Sequence, residues 1–207
     1  VSRACGAVAA AGIRGKCVMN CVSGLLLGMM AAWPAGAAGI SAAGPAEGEA
    51  AAVAELGRLV GEWRCRTYAR IRDGSWQANE WESTWTWHWV LQGHAIQDVW
   101  EVPPEAPRGS SLGTNLRIYN PEAGAWRIAW TTTNTREFDL FEARAQGEEL
   151  VMTGAIPARG QRPPHTARVT FHDIAADSFQ WRYEASLQGG DGPWSEQARL
   201  SCRRAGG

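Results

Sequence analysis

His94 and Asp98 are the first residues whose types invite chemistry. In "GHAIQDVW" they stand four apart, and an imidazole and a carboxylate can share a proton or a metal ion. On a strand, though, four residues span about 13 Å at roughly 3.3 Å per residue, too far for direct contact. Structural or surface roles fit them better. His165 and His172 bracket "HTARVTFH" at odd spacing, so a regular strand sends them to opposite faces. No His/Cys cluster has ligand spacing, and no structural metal is expected. No serine lies in Gly-x-Ser-x-Gly, and no glycine-rich loop opens a helix to cradle phosphate.

Binding chemistry is better represented. Arg117 and Tyr119 share a face of "TNLRIYN", and Trp126 and Trp130 share one on the segment that follows. An arginine among aromatic rings can grip a carboxylate or another anionic head group through paired N–H bonds; an arginine on the opposite face simply pairs with a surface acid. Gln97 and Asp98 straddle the two faces of their segment, so one of them points inward. A buried Asp98 needs a partner, for which Arg117 is the first choice. The densest aromatic signal is "ESTWTWHWVLQG", where tryptophans fall at every second position. Trp81, Ser83, Trp85, Trp87 and Trp89 share one face, and Glu82, Thr84, Thr86, His88 and Val90 the other. Four exposed indoles would form an apolar patch that monomers avoid, so the odd-numbered face is expected inside and His88 outside.

These residues must be positioned by strands. After Gly61 the chain keeps a period of two, with β-branched and aromatic runs separated by turn chemistry. The pattern predicts strands near 62–71, 76–90, 93–101, 112–119, 125–132, 136–143, 148–155, 165–172, 178–187 and 193–203. "RDGS", "NPEAG", "QGE" and "GGDG" read as turns, and the proline-rich "VPPEAPRG" and "IPARGQRPP" as loops. No interval is long enough for a crossover helix, so neighbours are antiparallel. A short amphipathic helix is expected over 49–60, from the spacing of Val53, Leu56, Leu59 and Val60. Ten sequential strands dispose of their edges by closing into an all-β, antiparallel up-and-down barrel. An even count sets the first strand beside the last. Cys65 and Cys202 then point to the less polar side of those two strands; they are either free core thiols or one long-range bridge, oxidised only if the protein is exported.

Composition narrows the class. The chain has 207 residues, a net charge of −1, and 12 tryptophans against 4 phenylalanines. Beyond Gly44 there are 17 basic and 21 acidic residues and no basic stripe, so nucleic acid is not an expected partner. Residues 1–38 combine Arg3, Arg14 and Lys16 with the apolar run "VSGLLLGMMAAW" and small residues around Ala35 and Ala37. They read as a signal peptide, too short to span a membrane, which implies a secreted or periplasmic protein. A misassigned start codon would make it cytoplasmic instead. Residues 39–50 read as a flexible linker and 51–204 as the barrel.

"ELGRLVGEWRCR" resembles the entry to calycin-type barrels, the group of lipocalins, fatty-acid-binding proteins and nitrobindin-like barrels, with Gly61, Glu62 and Trp63 on the Gly-x-Trp motif. The strings "WHWVLQGHAIQDVW" and "GTNLRIYNPEAGAWRIAW" are similar to a functionally uncharacterised bacterial group of that superfamily, over roughly residues 56–204. The resemblance implies that the helix leads into the first strand, that Trp63 helps close one end, and that an arginine such as Arg199 or Arg203 crosses it. Nitrobindin-like chains continue with glycines and Tyr-Pro where this one reads "RCRTYARI", and that departure puts haem binding of the nitrobindin kind in doubt.

The expected function is non-catalytic binding of a small apolar or amphipathic ligand inside the barrel, with no cofactor and no membrane span. Trp85, Trp87, Trp89, Trp126 and Trp130 would wall the site, and Arg117 with Asp98 would orient a polar end. The alternative is a barrel enzyme, of hydrolase or isomerase type, using a pair such as His94 and Asp98 at the mouth. A packed barrel serving only as an interaction module is the third reading. Composition leaves the oligomeric state open.

Overall fold

Alternation of apolar and polar side chains over ten runs leaves a sheet with one face to bury, and the chain buries it by rolling the sheet shut. The computed structural model describes residues 40–49, 51–107 and 109–206; the expected signal peptide lies outside them. A two-residue strand β1 (Ser41–Ala42) and a helix α1 (Ala51–Gly57) precede the barrel strands. These are β2 (Gly61–Arg70), β3 (Trp76–Val90), β4 (Ala95–Val102), β5 (Ser111–Asn120), β6 (Ala125–Thr132), β7 (Asp139–Gln146), β8 (Glu149–Ile156), β9 (His165–His172), β10 (Ser178–Ser186) and β11 (Ser195–Arg204). Each pairs antiparallel with the next, and β11 returns to pair with β2, so the ring is closed and no barrel strand has a free edge. Within the stretch read as a linker, Ser41 and Ala42 pair with Val90 and Trp89, and the Ala46 N–H donates to the Gly93 carbonyl at 3.1 Å.

Small departures from the expected boundaries have local causes. The helix stops at Gly57 because Leu59 and Val60 donate to Leu56 and Gly57, each at 3.0 Å, a tighter final turn than α-geometry. Strand β4 starts at Ala95, because Leu91, Gln92 and Gly93 all adopt positive φ (50°, 57° and 92°) and swing the chain out of the sheet. Strand β7 starts at Asp139, because the Thr132 hydroxyl accepts from the amides of Asn134 and Thr135 and holds 132–136 as a turn.

The helix lies across one end. Val53, Leu56 and Leu59 are buried there, and a Cβ added to Gly57 would sit 2.6 Å from the Trp89 ring. Trp63 is fully buried and its indole N–H donates to the Leu59 carbonyl at 2.7 Å. The arginine that crosses Trp63 is Arg204, with its guanidinium carbon 4.3 Å from the ring, and not Arg199 or Arg203 as expected. Arg204 is the register partner of Trp63. Arg203 stands one residue out of phase and pairs with Glu82 outside, while Arg199 pairs with Glu196. From its position Arg204 donates to the carbonyls of Val60 and Arg58, at 3.0 and 2.9 Å, and ties strand, helix exit and indole together. Cys65 and Cys202 face each other in register and are joined by a disulfide across the β2–β11 seam, with Cα atoms 4.1 Å apart.

Candidate functional site

The tryptophan row of β3 faces the interior. Trp85, Trp87 and Trp89 are buried with Ser83, while His88 on the other face is exposed. The three rings do not line an empty tube at this depth. Trp85 lies 5.1 Å from Trp87, 5.7 Å from Phe171 and 5.9 Å from Phe179, centroid to centroid, so β3 meets β9 and β10 through aromatic packing. Trp126 joins the same core from β6.

Next to this packing lies a buried ion pair. Asp98 is 0% and Arg117 1% exposed, and the two are in direct contact. The Asp98 carboxylate also accepts from the Trp85 indole N–H at 2.9 Å and from the Asn115 amide at 3.1 and 3.2 Å. Arg117 lies over the Trp87 ring, 4.1 Å from its centroid. Burial pulls the Arg117 pKa below the ordinary arginine value, and the Asp98 carboxylate beside it holds the positive charge in place. The partner expected for Asp98 is therefore the one it has, and both side chains are committed to each other.

His94 takes no part. It follows the left-handed turn at 91–93, before β4, largely exposed, with Nδ1 2.6 Å from Glu49. His94 and Asp98 form no shared acid–base site: His94 is exposed against Glu49, while Asp98 is buried against Arg117. His165 and His172 also separate, His165 buried and His172 beside Asp173. Among the described residues no three His, Cys, Asp or Glu side chains group as metal ligands, and no helix is long and apolar enough to cross a membrane.

Towards the end opposite the helix the rings are only half buried. Trp100, Trp130, Trp181 and Tyr183 pack on the core with part of each surface exposed. Trp100 meets Trp85 edge-on at 5.0 Å, and Trp181 stacks on Tyr183 at 6.4 Å. Trp130 covers Gly113, where a Cβ would penetrate the indole. Gly113→Ala is therefore expected to displace Trp130 and to cost about 1–3 kcal/mol, the usual range for overpacking. Chemical denaturation should show that cost vanish in a Trp130→Ala background; full retention there would contradict the contact.

Polar groups complete this rim. The loop between β8 and β9 forms a tight turn in which Arg159 and Arg162 exchange backbone hydrogen bonds of 3.0 and 2.9 Å. It lays Arg159 on Asp139 with two bonds, at 2.7 and 2.8 Å, and Arg162 over the Tyr183 ring at 5.8 Å. His165 Nδ1 lies 3.1 Å from the Pro163 carbonyl and Nε2 2.8 Å from the Tyr183 hydroxyl. A carbonyl can only accept, so Nδ1 carries the hydrogen, and an Nε2 without one accepts from the Tyr183 hydroxyl. Burial pushes the Tyr183 phenol above its ordinary value, while Arg162 pulls it down and Asp139 pushes it up. The hydroxyl stays protonated at neutral pH.

Sequence reasoning found the inner wall and missed most of the rim. Trp181 and Tyr183 alternate along the strand expected over 178–187, and His165 read only as a strand terminus. Arg159 and Arg162 lie in a proline-rich loop whose course no periodicity reveals. Two surface clefts, of about 460 and 200 Å³, lie along β10 and β11 and along β2, β3 and β11, and the larger reaches Trp181 of the rim. Their charged linings are paired: Arg182, Glu184, Glu196 and Arg199 among themselves or with Glu149 in the larger, and Arg66 and Arg203 with Glu82 in the smaller. With their charges mutually satisfied they make a poorer site than the aromatic rim.

No family model and no curated protein sequence matches the chain. Among solved structures it is similar to the S-type phycobiliprotein lyase CPES from Guillardia theta, at 14% identity and a TM-score of 0.49, covering 72% of this chain and 90% of that one. A likeness at this level adds nothing to the fold already read from strand pairing.

Proposed function

We propose that this chain is a non-catalytic binding barrel that takes a small apolar or amphipathic ligand through the end opposite its helix. The observation that carries the reading is the layer of half-buried rings, Trp100, Trp130, Trp181 and Tyr183, standing on a floor of packed indoles. Rings with residual exposed surface are where a ligand gains contact area, and the polar groups beside them can fix its orientation. Trp85, Trp87, Trp89 and Trp126 form the inner wall in this reading, and Trp130 touches the ligand. Arg117 and Asp98 hold the wall rigid, because each charge is already met by the other.

The same reading keeps the chain with the bacterial group of calycin-type barrels that its sequence resembles. Support comes from Gly61 and Trp63 at the barrel entry and from Arg204 packed across the indole. Export to an oxidising compartment is supported by the Cys65–Cys202 bridge.

Titrating the protein with a panel of fatty acids and aromatic compounds should quench or shift its tryptophan fluorescence. Trp130→Ala is expected to weaken the best binder about tenfold, the loss of one aromatic contact. If no member of the panel perturbs the wild-type indoles, the binding reading fails.

A further inference from the structure

Arg162, Tyr183 and His165 converge on one part of the rim. Resting on the binding reading above, we propose that they form an oxyanion site for an aromatic or apolar ligand bearing a carboxylate or sulfonate, and that the site opens when His165 takes up a proton. The Pro163 carbonyl fixes the hydrogen of neutral His165 on Nδ1, so its Nε2 lone pair takes the Tyr183 hydroxyl hydrogen. In that state Tyr183 shows an incoming ligand only lone pairs, which repel an anion. A proton on Nε2 reverses the bond. His165 then donates at both nitrogens, the Tyr183 oxygen accepts, and the hydroxyl hydrogen is free to turn to a ligand oxygen. The phenol is neutral and so has a hydrogen to give.

The surrounding charges favour an anion. Arg162 lies over Tyr183 and has no ion pair among the described residues. Asp139, the acid of β7 that faces this region, is matched by the bidentate Arg159. Ile156, the β8 partner of His165, brings no charge. On the outer face of β9 and β10, Arg168 pairs with Glu184. The rim thus offers one cation, one imidazole and one phenol to a negative group. Bound anion and bound proton stabilise each other, so affinity must fall as pH rises.

The test compares 2-naphthalenesulfonate, anionic at every pH used, with the neutral 2-naphthalenemethanol. Calorimetric titration should show the sulfonate binding about tenfold more tightly at pH 5.5 than at pH 8, the worth of one charge-assisted hydrogen bond, with the alcohol unchanged. His165→Gln should flatten the sulfonate profile, and Tyr183→Phe, which keeps the ring and the fold but removes the hydroxyl, should flatten it as well. A level sulfonate profile in the wild type, or an undiminished slope in Tyr183→Phe, overturns the oxyanion site while alcohol binding leaves the binding reading intact. Failure of both compounds to bind at either pH overturns the two together.

Discussion

Breaking the Cys65–Cys202 bridge is expected to remove about 5 kcal/mol of stability, the loop-closure entropy of a cross-link spanning so many residues. The two cysteines lie 137 positions apart, so nearly the whole barrel is inside the loop. The bond joins the first and last barrel strands, the one seam that no hairpin holds together. Without it, closure depends on long-range pairing that must be formed against the full entropy of the unfolded chain. Urea unfolding of the Cys65→Ala/Cys202→Ala protein should show a much lower midpoint than that of the oxidised wild type. The paired rings Trp63 and Phe179, 4.7 Å apart beside the bond, should keep the native near-ultraviolet signal at low denaturant. Coincident midpoints for the two proteins, or a non-reducing peptide map in which Cys65 and Cys202 are not linked, would sink the prediction.

Asp98→Ala is expected to cost about 3–5 kcal/mol, because it strands a buried guanidinium. Arg117 is 1% exposed and remains charged, and its compensating carboxylate is Asp98. The Trp85 indole N–H and the Asn115 amide lose their acceptor in the same step. Most of this loss comes from the charge left behind. Replacing both partners by apolar residues of similar size, as in Asp98→Leu/Arg117→Met, should therefore recover a large part of it. Thermal and urea unfolding of the two variants decide the matter. A single variant as stable as wild type would show that water reaches the pair. A double variant no better than the single one would show that the hydrogen-bonded geometry itself, and not charge compensation, supports the wall.

The strand count, the antiparallel order and the inward face of β3 were legible because a barrel strand states its orientation in every second residue. Ten runs with hairpin-length connections leave few topologies, and parity then assigns Trp85, Trp87 and Trp89 to the interior without any coordinates. Parity also brought Cys65 and Cys202 into reach and required either Gln97 or Asp98 to point inside, where the structure puts Asp98. Places where the chain leaves the sheet were not legible. Three consecutive positive φ angles at 91–93 took His94 off the strand that carries Asp98. One residue of phase at the end of β11 decided that Arg204, and not Arg203, covers Trp63.

Period and composition sufficed to specify a closed antiparallel barrel with a helix at its entry and indoles turned inward, since alternation and edge avoidance act through each residue's own neighbours. Whether those indoles leave space or fill it depends on how rings from β3, β9 and β10 meet across the barrel, and no local pattern encodes distances between strands so far apart in sequence. Folding alone brought Arg162 over Tyr183 and set His165 against its hydroxyl, because a proline-rich loop takes its course from what it packs upon.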